Sequence, residues 1–282
     1  MRQRTLTRAL VGATALLAAA PALAQTADGE KRFDGVYVGG SAGVSVQGND
    51  VGESLIFDRN LDGRFGDSIT TAAGANAFSP GFCNGGARGA TPAGGCFNDK
   101  DDIEYFARVG ADKQYGNFVI GAVGEFGKSE AKDYVTGYST TPAFYQFGRS
   151  FDWNAAIRGR VGYAAGGKTL FYAAGGPAYA RINTSFTTSN AANSFTTRNQ
   201  KYNSWGFTAG GGVEQSVTKN LSFGLEYMYN QYQDDFNSVR VGAGTAPTTN
   251  PFLLGGAGGT DIQRSDERFR FHSIRATAAI RF

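Results

Sequence analysis

The last ten residues, SIRATAAIRF (273–282), have a period of two: Ile274, Ala276, Ala278, Ile280 and Phe282 are apolar or small, and Ser273, Arg275, Thr277 and Arg281 lie between them. A period of two describes a strand with two unlike faces. The rhythm recurs through the chain and marks eight expected strands, at about 33–47, 103–115, 118–129, 151–163, 170–182, 204–217, 221–231 and 268–282. A tilted strand needs about 9–11 residues to cross a hydrocarbon layer, whereas strands of soluble proteins cluster near 5–6. Each segment is therefore long enough to span a membrane.

The connections sort by length. Gly116-Asn117 and Gly166-Gly167 are expected to form two-residue hairpin turns, because Gly and Asn tolerate positive φ, and Thr218-Lys219-Asn220 suits a three-residue turn. Between these tight turns lie long polar segments, 49–102, 130–150, 183–203 and 232–267. Short turns at one end and long loops at the other predict an all-β fold. Its form is an up-and-down antiparallel transmembrane barrel of eight strands, with periplasmic turns and extracellular loops. A soluble sandwich fits the composition, 41 Gly and 13% aromatic residues, but gives no reason for loops sorted in this way.

The beginning of the chain agrees with export. Arg2, Arg4 and Arg8 precede an apolar run, and Ala22-Leu23-Ala24 forms a small-residue cleavage site, so residues 1–24 read as a secretory signal peptide. Residues 25–32 are then a flexible N-terminal segment, and 33–282 the barrel, with a large first loop at 49–102. The formal charge of +3 comes from 27 basic and 24 acidic residues, and removing the three leader arginines makes the remainder neutral. Nucleic acid is accordingly not expected as a partner. The mean hydropathy of −0.29 does not argue against a membrane barrel, since only alternate residues need be apolar.

The turns set register. They place Arg108 opposite Glu125, Arg158 opposite Gly175, Arg160 opposite Ala173, Glu214 opposite Gly224 and Glu226 opposite Gly212. The apolar face carries Phe118, Tyr163, Tyr172, Phe223 and Phe282 near the short turns, and Tyr105, Phe126, Trp153, Trp205 and Tyr229 near the loops. Two such levels read as the aromatic girdles of a bilayer-spanning protein, although aromatics also favour strands in general. The opposite face carries Arg108, Glu125, Arg158, Glu214, Glu226 and Arg275 in a band at mid-barrel. Eight strands enclose only enough room for side chains, so these charges are expected to pair into a plug; charges tolerated by trapped water are the alternative. The final strand is expected to pair with the first, near residues 36–46, leaving no edge in lipid.

The leader, the loop asymmetry and the terminal Phe282 together resemble the small eight-stranded outer-membrane barrels of Gram-negative bacteria, the OmpA-type and opacity-like proteins often called the porin family. The resemblance covers about 33–282 and departs from the family in its unusually long first loop. It implies residence in the outer membrane, contact with outer-membrane lipid and lipopolysaccharide, and a monomeric state. It also implies recognition of Phe282 by the outer-membrane insertion machinery. The role it implies is structural and surface-interactive, without catalysis; the rivals are a narrow porin-like diffusion channel and a lipid-modifying enzyme.

Three further features bear on chemistry. In DRNLDGRFGD (58–67), Asp58, Asn60, Asp62 and Gly63 match the start of a calcium loop, with Asp67 the nearest acid to a position where an EF-hand carries Glu. A variant Ca²⁺ site at Asp58, Asn60, Asp62 and Asp67 competes with a plain Asx/Gly turn. Cys83 and Cys96, the only cysteines, are expected to form a disulfide in an oxidising compartment. His272, the single histidine, falls on the outer face while Ser273 points inward, so no Ser–His pair is expected. Part of 51–75 either extends a hairpin above the membrane or adds a spanning pair.

Overall fold

A computed structural model describes residues 31–48, 52–234, 237–256 and 258–282. The expected signal peptide, 1–24, and most of the expected segment 25–32 lie outside these residues. Among the described residues, eight strands form the barrel: β1 (Gly35–Val46), β2 (Asp102–Tyr115), β3 (Phe118–Ser129), β4 (Ala143–Ala165), β5 (Thr169–Thr188), β6 (Lys201–Ser216), β7 (Leu221–Gln233) and β8 (Arg268–Arg281). Each pairs antiparallel with the next, and β8 closes on β1 from Tyr37↔Arg281 to Val46↔His272. Closure satisfies every ladder in the hydrocarbon region, which is what permits strands there.

Two of the three expected turns set the observed register. Arg108 stands opposite Glu125, Glu214 opposite Gly224 and Glu226 opposite Gly212. The β4–β5 turn differs. It has three residues, Gly166-Gly167-Lys168, with Ala165 paired to Thr169 and both glycines at positive φ, 56° and 69°. Arg160 therefore faces Ala174, not Ala173, and the expected pairing of Arg158 with Gly175 is likewise displaced by one: Gly175 pairs with Gly159. A slip of one residue exchanges the faces of a strand. Tyr172, expected on the lipid face, is buried in the lumen, and Phe171 takes the outer position. The adjacent rings of Phe171 and Tyr172 offer one aromatic to either face, so the pattern of β5 alone does not select the register.

Outside the barrel, Phe118, Phe126, Tyr105, Trp205 and Phe223 are exposed on the apolar face. Tyr163 and Trp153 on β4 are ten residues apart, about 33 Å along the strand and about 25 Å along a membrane normal at a 40° tilt. That matches the height of an outer-membrane apolar band.

Above the upper girdle the expected loops are largely folded. β4 and β5 run on for 23 and 20 residues in all. Four short strands, Leu55–Asp58, Ser194–Arg198, Ser238–Gly242 and Thr260–Arg264, form a separate sheet from pieces of three loops. With Lys132–Ser139 and Gly81–Asn84 continuing the barrel sheet, they enclose a dome whose core includes Phe57, Phe78, Tyr145, Phe147, Val241, Phe252 and Ile262. The strand within 51–75 thus belongs to the dome and adds no spanning pair. The polar sequence of the loops conceals this core because its apolar residues come singly from distant segments. At the other end, Phe33 precedes β1 and is not part of a strand; it is wholly buried with Val119, Ala164 and Leu170, closing the periplasmic mouth.

Candidate functional site: a sealed ionic lumen

Period-two alternation aims one residue in two of each strand into the barrel, and in the middle third those residues are ionic. Glu226 on β7 is the hub. It receives Arg275 Nη2 at 2.7 Å, Arg108 Nη2 at 2.9 Å and Arg158 Nη2 at 3.3 Å, and the Tyr172 hydroxyl donates to it at 2.8 Å. Glu125 on β3 pairs with Arg158, with Arg108 at 3.2 Å and with Arg275 at 3.0 Å. Just above, Glu104 accepts from Ser45 at 2.6 Å and Ser273 at 2.7 Å and lies 3.8 Å from Arg275. Just below, Asp112 and Glu214 hold Arg160 and Arg281: Arg160 reaches Glu214 at 2.9 Å, Arg281 reaches Asp112 at 2.9 Å, and Arg160 also pairs with Asp112.

Five arginines thus meet five carboxylates in two adjoining layers, three against three in the middle and two against two below, so these lumen charges balance. All six residues expected in the plug lie in these layers: Arg108, Glu125, Arg158 and Arg275 in the middle layer with Glu226, and Glu214 in the lower one. Glu104, Asp112, Arg160 and Arg281 complete them, although parity along β2, β4 and β8 was the signal that could have included them. Aromatic faces add to the lower layer, with Arg160 5.1 Å from Tyr37 and 4.9 Å from Tyr172, and Arg281 4.7 Å from Tyr37.

The network is capped on both sides. Below is the Phe33 cluster. Above, Phe151 packs on Phe269, Tyr232 and Phe271 with ring centroids 4.5, 5.1 and 5.4 Å away. Higher still a second ionic cluster sits beneath the dome. Arg149 binds Asp133 at 2.5 Å and Asp234 at 2.6 Å; Arg264 binds Glu53 at 2.7 Å and Asp133 at 2.8 Å. Burial pushes the Asp133 carboxyl up, but the fields of Arg149 and Arg264 outweigh it and hold it below the usual range. Burial wins at Asp234 and Glu53, which are raised. Asp133 and Arg149 face each other across one hairpin, while Glu53, Asp234 and Arg264 join them from loops far apart in sequence. Within the lumen, a void beside Tyr37, Arg108, Arg160 and Glu214 measures about 10 Å³. Such a volume holds about one water molecule. The expected plug is therefore present.

The remaining sequence features fall as follows. Cys83 and Cys96 form a disulfide, Cα atoms 6.6 Å apart, in the dome. In the DRNLDGRFGD turn, the Asp58 carboxylate accepts the N–H of Asp62 at 3.1 Å and of Gly63 at 2.8 Å. Asp67 accepts from Arg59 N at 2.8 Å, and Asn60 accepts from Asp62 N at 3.2 Å. Among the described residues, no three His, Cys, Asp or Glu side chains are grouped to hold one metal ion. His272 lies on the outer face with Nδ1 2.6 Å from the Tyr227 hydroxyl, while Ser273 points inward. Phe282 is exposed at the lower rim and its N–H donates to Val36 O at 2.9 Å.

A closed eight-stranded antiparallel barrel, apolar and ring-banded outside and ion-filled within, is a transmembrane β-barrel. No family model matches the chain. It is 33% identical over 108 residues to a 22 kDa outer membrane protein of Rhizobium leguminosarum bv. viciae, covering 33% of this chain and 46% of that protein. It is 29% identical over 114 residues to a 31 kDa outer-membrane immunogenic protein of Brucella melitensis biotype 1, covering 40% of each. The chain spans less than half the length of the curated relatives it matches. The outer membrane protein OprG from Pseudomonas aeruginosa aligns over 90% of this chain and 99% of its own, with 12% identity and a TM-score of 0.47. The chain is a bacterial outer-membrane β-barrel protein.

Proposed function

We propose that this protein is a non-catalytic barrel whose work is done by its extracellular dome, as a structural and surface-interaction element of the cell envelope. The observation that carries this reading is the neutral network of buried Arg, Asp and Glu between two apolar caps. It fills the cross-section that a diffusion channel needs open. Single-channel recording of the folded monomer tests it: no steady conductance is expected, and reproducible openings would favour the porin-like reading. The monomeric state and the use of Phe282 as an insertion signal belong to the same proposal. Deleting Phe282 is expected to lower the amount of folded barrel in the outer membrane while the purified variant still folds in detergent. Calcium at Asp58, Asn60, Asp62 and Asp67 would compete with the backbone N–H groups now held by Asp58. Titration calorimetry showing heat that Asp58→Ala abolishes would establish that site.

A further inference from the structure

We infer that the far end of the dome holds a binding pocket for one uncharged hexose ring of a glycan met outside the cell. The inference deepens the reading that the dome does this protein's work, and rests on it.

All four long connections meet at this point. Ala77 and Phe78 come from the first, and the turn 140–142 between Lys132–Ser139 and β4 from the second. The turn 189–192 after β5 comes from the third, and Asn250, Pro251 and Phe252 from the fourth. Between them lies a cavity of about 230 Å³. Thr140, Thr141, Ala191 and Ala192 at its rim are exposed, so it opens to solvent. Sites for drug-sized ligands span roughly 300–1,000 Å³, so this smaller cavity suits a single ring. Its floor is aromatic: Phe78, Tyr145 and Phe252 form a triangle with centroids 5.3, 5.5 and 5.9 Å apart.

Bonds between the loops hold the walls. The Thr140 N–H donates to Ala77 O at 2.8 Å, and the Thr245 N–H to Ala192 O at 2.7 Å. The Asn190 amide donates to the Tyr145 hydroxyl at 2.9 Å, and that of Asn250 to Asn193 Oδ1 at 3.1 Å. The pocket is thus formed before a ligand arrives, which lowers the entropy lost on binding.

The chemistry of the lining selects the ligand. Among the described residues, no charged side chain lines the cavity. An ion entering it would lose water and find no counter-charge. Neutral hydroxyls are available instead. Among the described residues the Thr140 and Thr141 side chains make no hydrogen bond. Ser189 Oγ accepts the Phe144 N–H at 3.0 Å and keeps its own hydrogen to donate. A purely apolar ligand would cover these hydroxyls without replacing their water. A pyranose meets both surfaces, with a C–H face for the rings and an edge of hydroxyls for Thr140, Thr141 and Ser189.

The test uses the full mature protein folded in a zwitterionic, sugar-free detergent and read by saturation-transfer NMR. The probes are methyl α-glucoside, methyl α-mannoside and methyl β-galactoside, with glucuronate and cyclohexanol for comparison. At least one of the pyranosides should bind in the millimolar range. The double variant Thr140→Val/Thr141→Val keeps the volume and removes two hydroxyls, and should lower that affinity about five- to tenfold. Ala192→Trp, which fills the cavity, should abolish binding. Thr91→Val, in the first loop at a side chain that caps nothing, should leave it unchanged. Silence from all three pyranosides overturns the site. So does glucuronate or cyclohexanol bound as tightly as the best pyranoside, unchanged affinity in both the double variant and Ala192→Trp, or a loss from Thr91→Val equal to that of the double variant. Single-channel recording of the same preparation reports on the underlying reading: a silent barrel that binds no pyranoside sinks the site alone, and a conducting one sinks the reading on which it rests.

Discussion

Replacing Glu226 by Gln keeps the volume and removes one charge from the hub of the lumen. Three guanidinium groups lie 2.7–3.3 Å from its carboxylate. At an effective dielectric constant near 20, each contact at that range is worth about 5–6 kcal/mol before desolvation. Desolvation cancels most of this, and the measured cost of leaving a buried partner uncompensated is about 3–5 kcal/mol. Glu226→Gln leaves five arginines against four carboxylates, so a loss of about 3–5 kcal/mol is expected. Urea unfolding in detergent micelles, followed by tryptophan fluorescence, measures it. The double variant Glu226→Gln/Arg275→Met restores neutrality and should recover at least half of the loss, because the destabilisation comes from the surplus charge more than from the missing bonds. A single-variant loss below about 1 kcal/mol would refute the reasoning. It would mean that water screens the lumen, and the plug would then be no barrier to ions.

Further expectations follow from single contacts. Tyr172→Phe removes a hydroxyl that donates to Glu226, at a cost of about 1.5–3 kcal/mol for a bond to a charged group, read by the same urea titration. A nitroxide at Phe171→Cys should be relaxed by oxygen dissolved in the bilayer, whereas one at Tyr172→Cys should not; the reverse would restore the two-residue turn. Cys83→Ser should loosen the dome by about 3 kcal/mol in the chain-entropy model, seen as faster proteolysis near 83–96 with barrel melting unchanged. Burial first, then the Asp133 charge, pushes the Asp99 carboxyl up to about 7, against the N–H of Tyr134 that it accepts. A raised carboxyl binds its proton more tightly in the folded state. Its stabilisation is complete below the unfolded value of 3.8 and is lost as pH rises through about 7. Hydrogen exchange around Tyr134 should therefore be faster at pH 8 than at pH 5 after correction for intrinsic rate, and Asp99→Asn should flatten the difference.

Glu125 and Arg108 show how far local pattern reaches. Alternation aims both inward, the Gly116-Asn117 turn sets them opposite each other, and in the structure they pair. Tyr172 shows where it stops. Its face depends on whether a Gly-Gly turn holds two residues or three, and β5 presents an aromatic to each side; in the structure the inward choice is met by Glu226 of β7, a strand not paired with β5, which accepts from the Tyr172 hydroxyl. The upper ionic cluster marks a second limit: Asp133 and Arg149 are cross-strand partners in one hairpin, but Glu53, Asp234 and Arg264 come from other loops, and only folding of the dome brings them within 2.6–2.8 Å of their partners.

The sequence by itself determined the barrel: the strand number, the order, the two girdles, the ionic band and the closure of β8 on β1. These follow from a period of two and from turn chemistry, which act over a few residues. Tertiary structure alone decided the face of Tyr172, the Phe33 closure, the upper ionic cluster and the conversion of four polar loops into one packed dome. Those features depend on contacts between residues far apart in the chain, where burial and charge pairing are settled by what arrives from elsewhere and no local rhythm records the outcome.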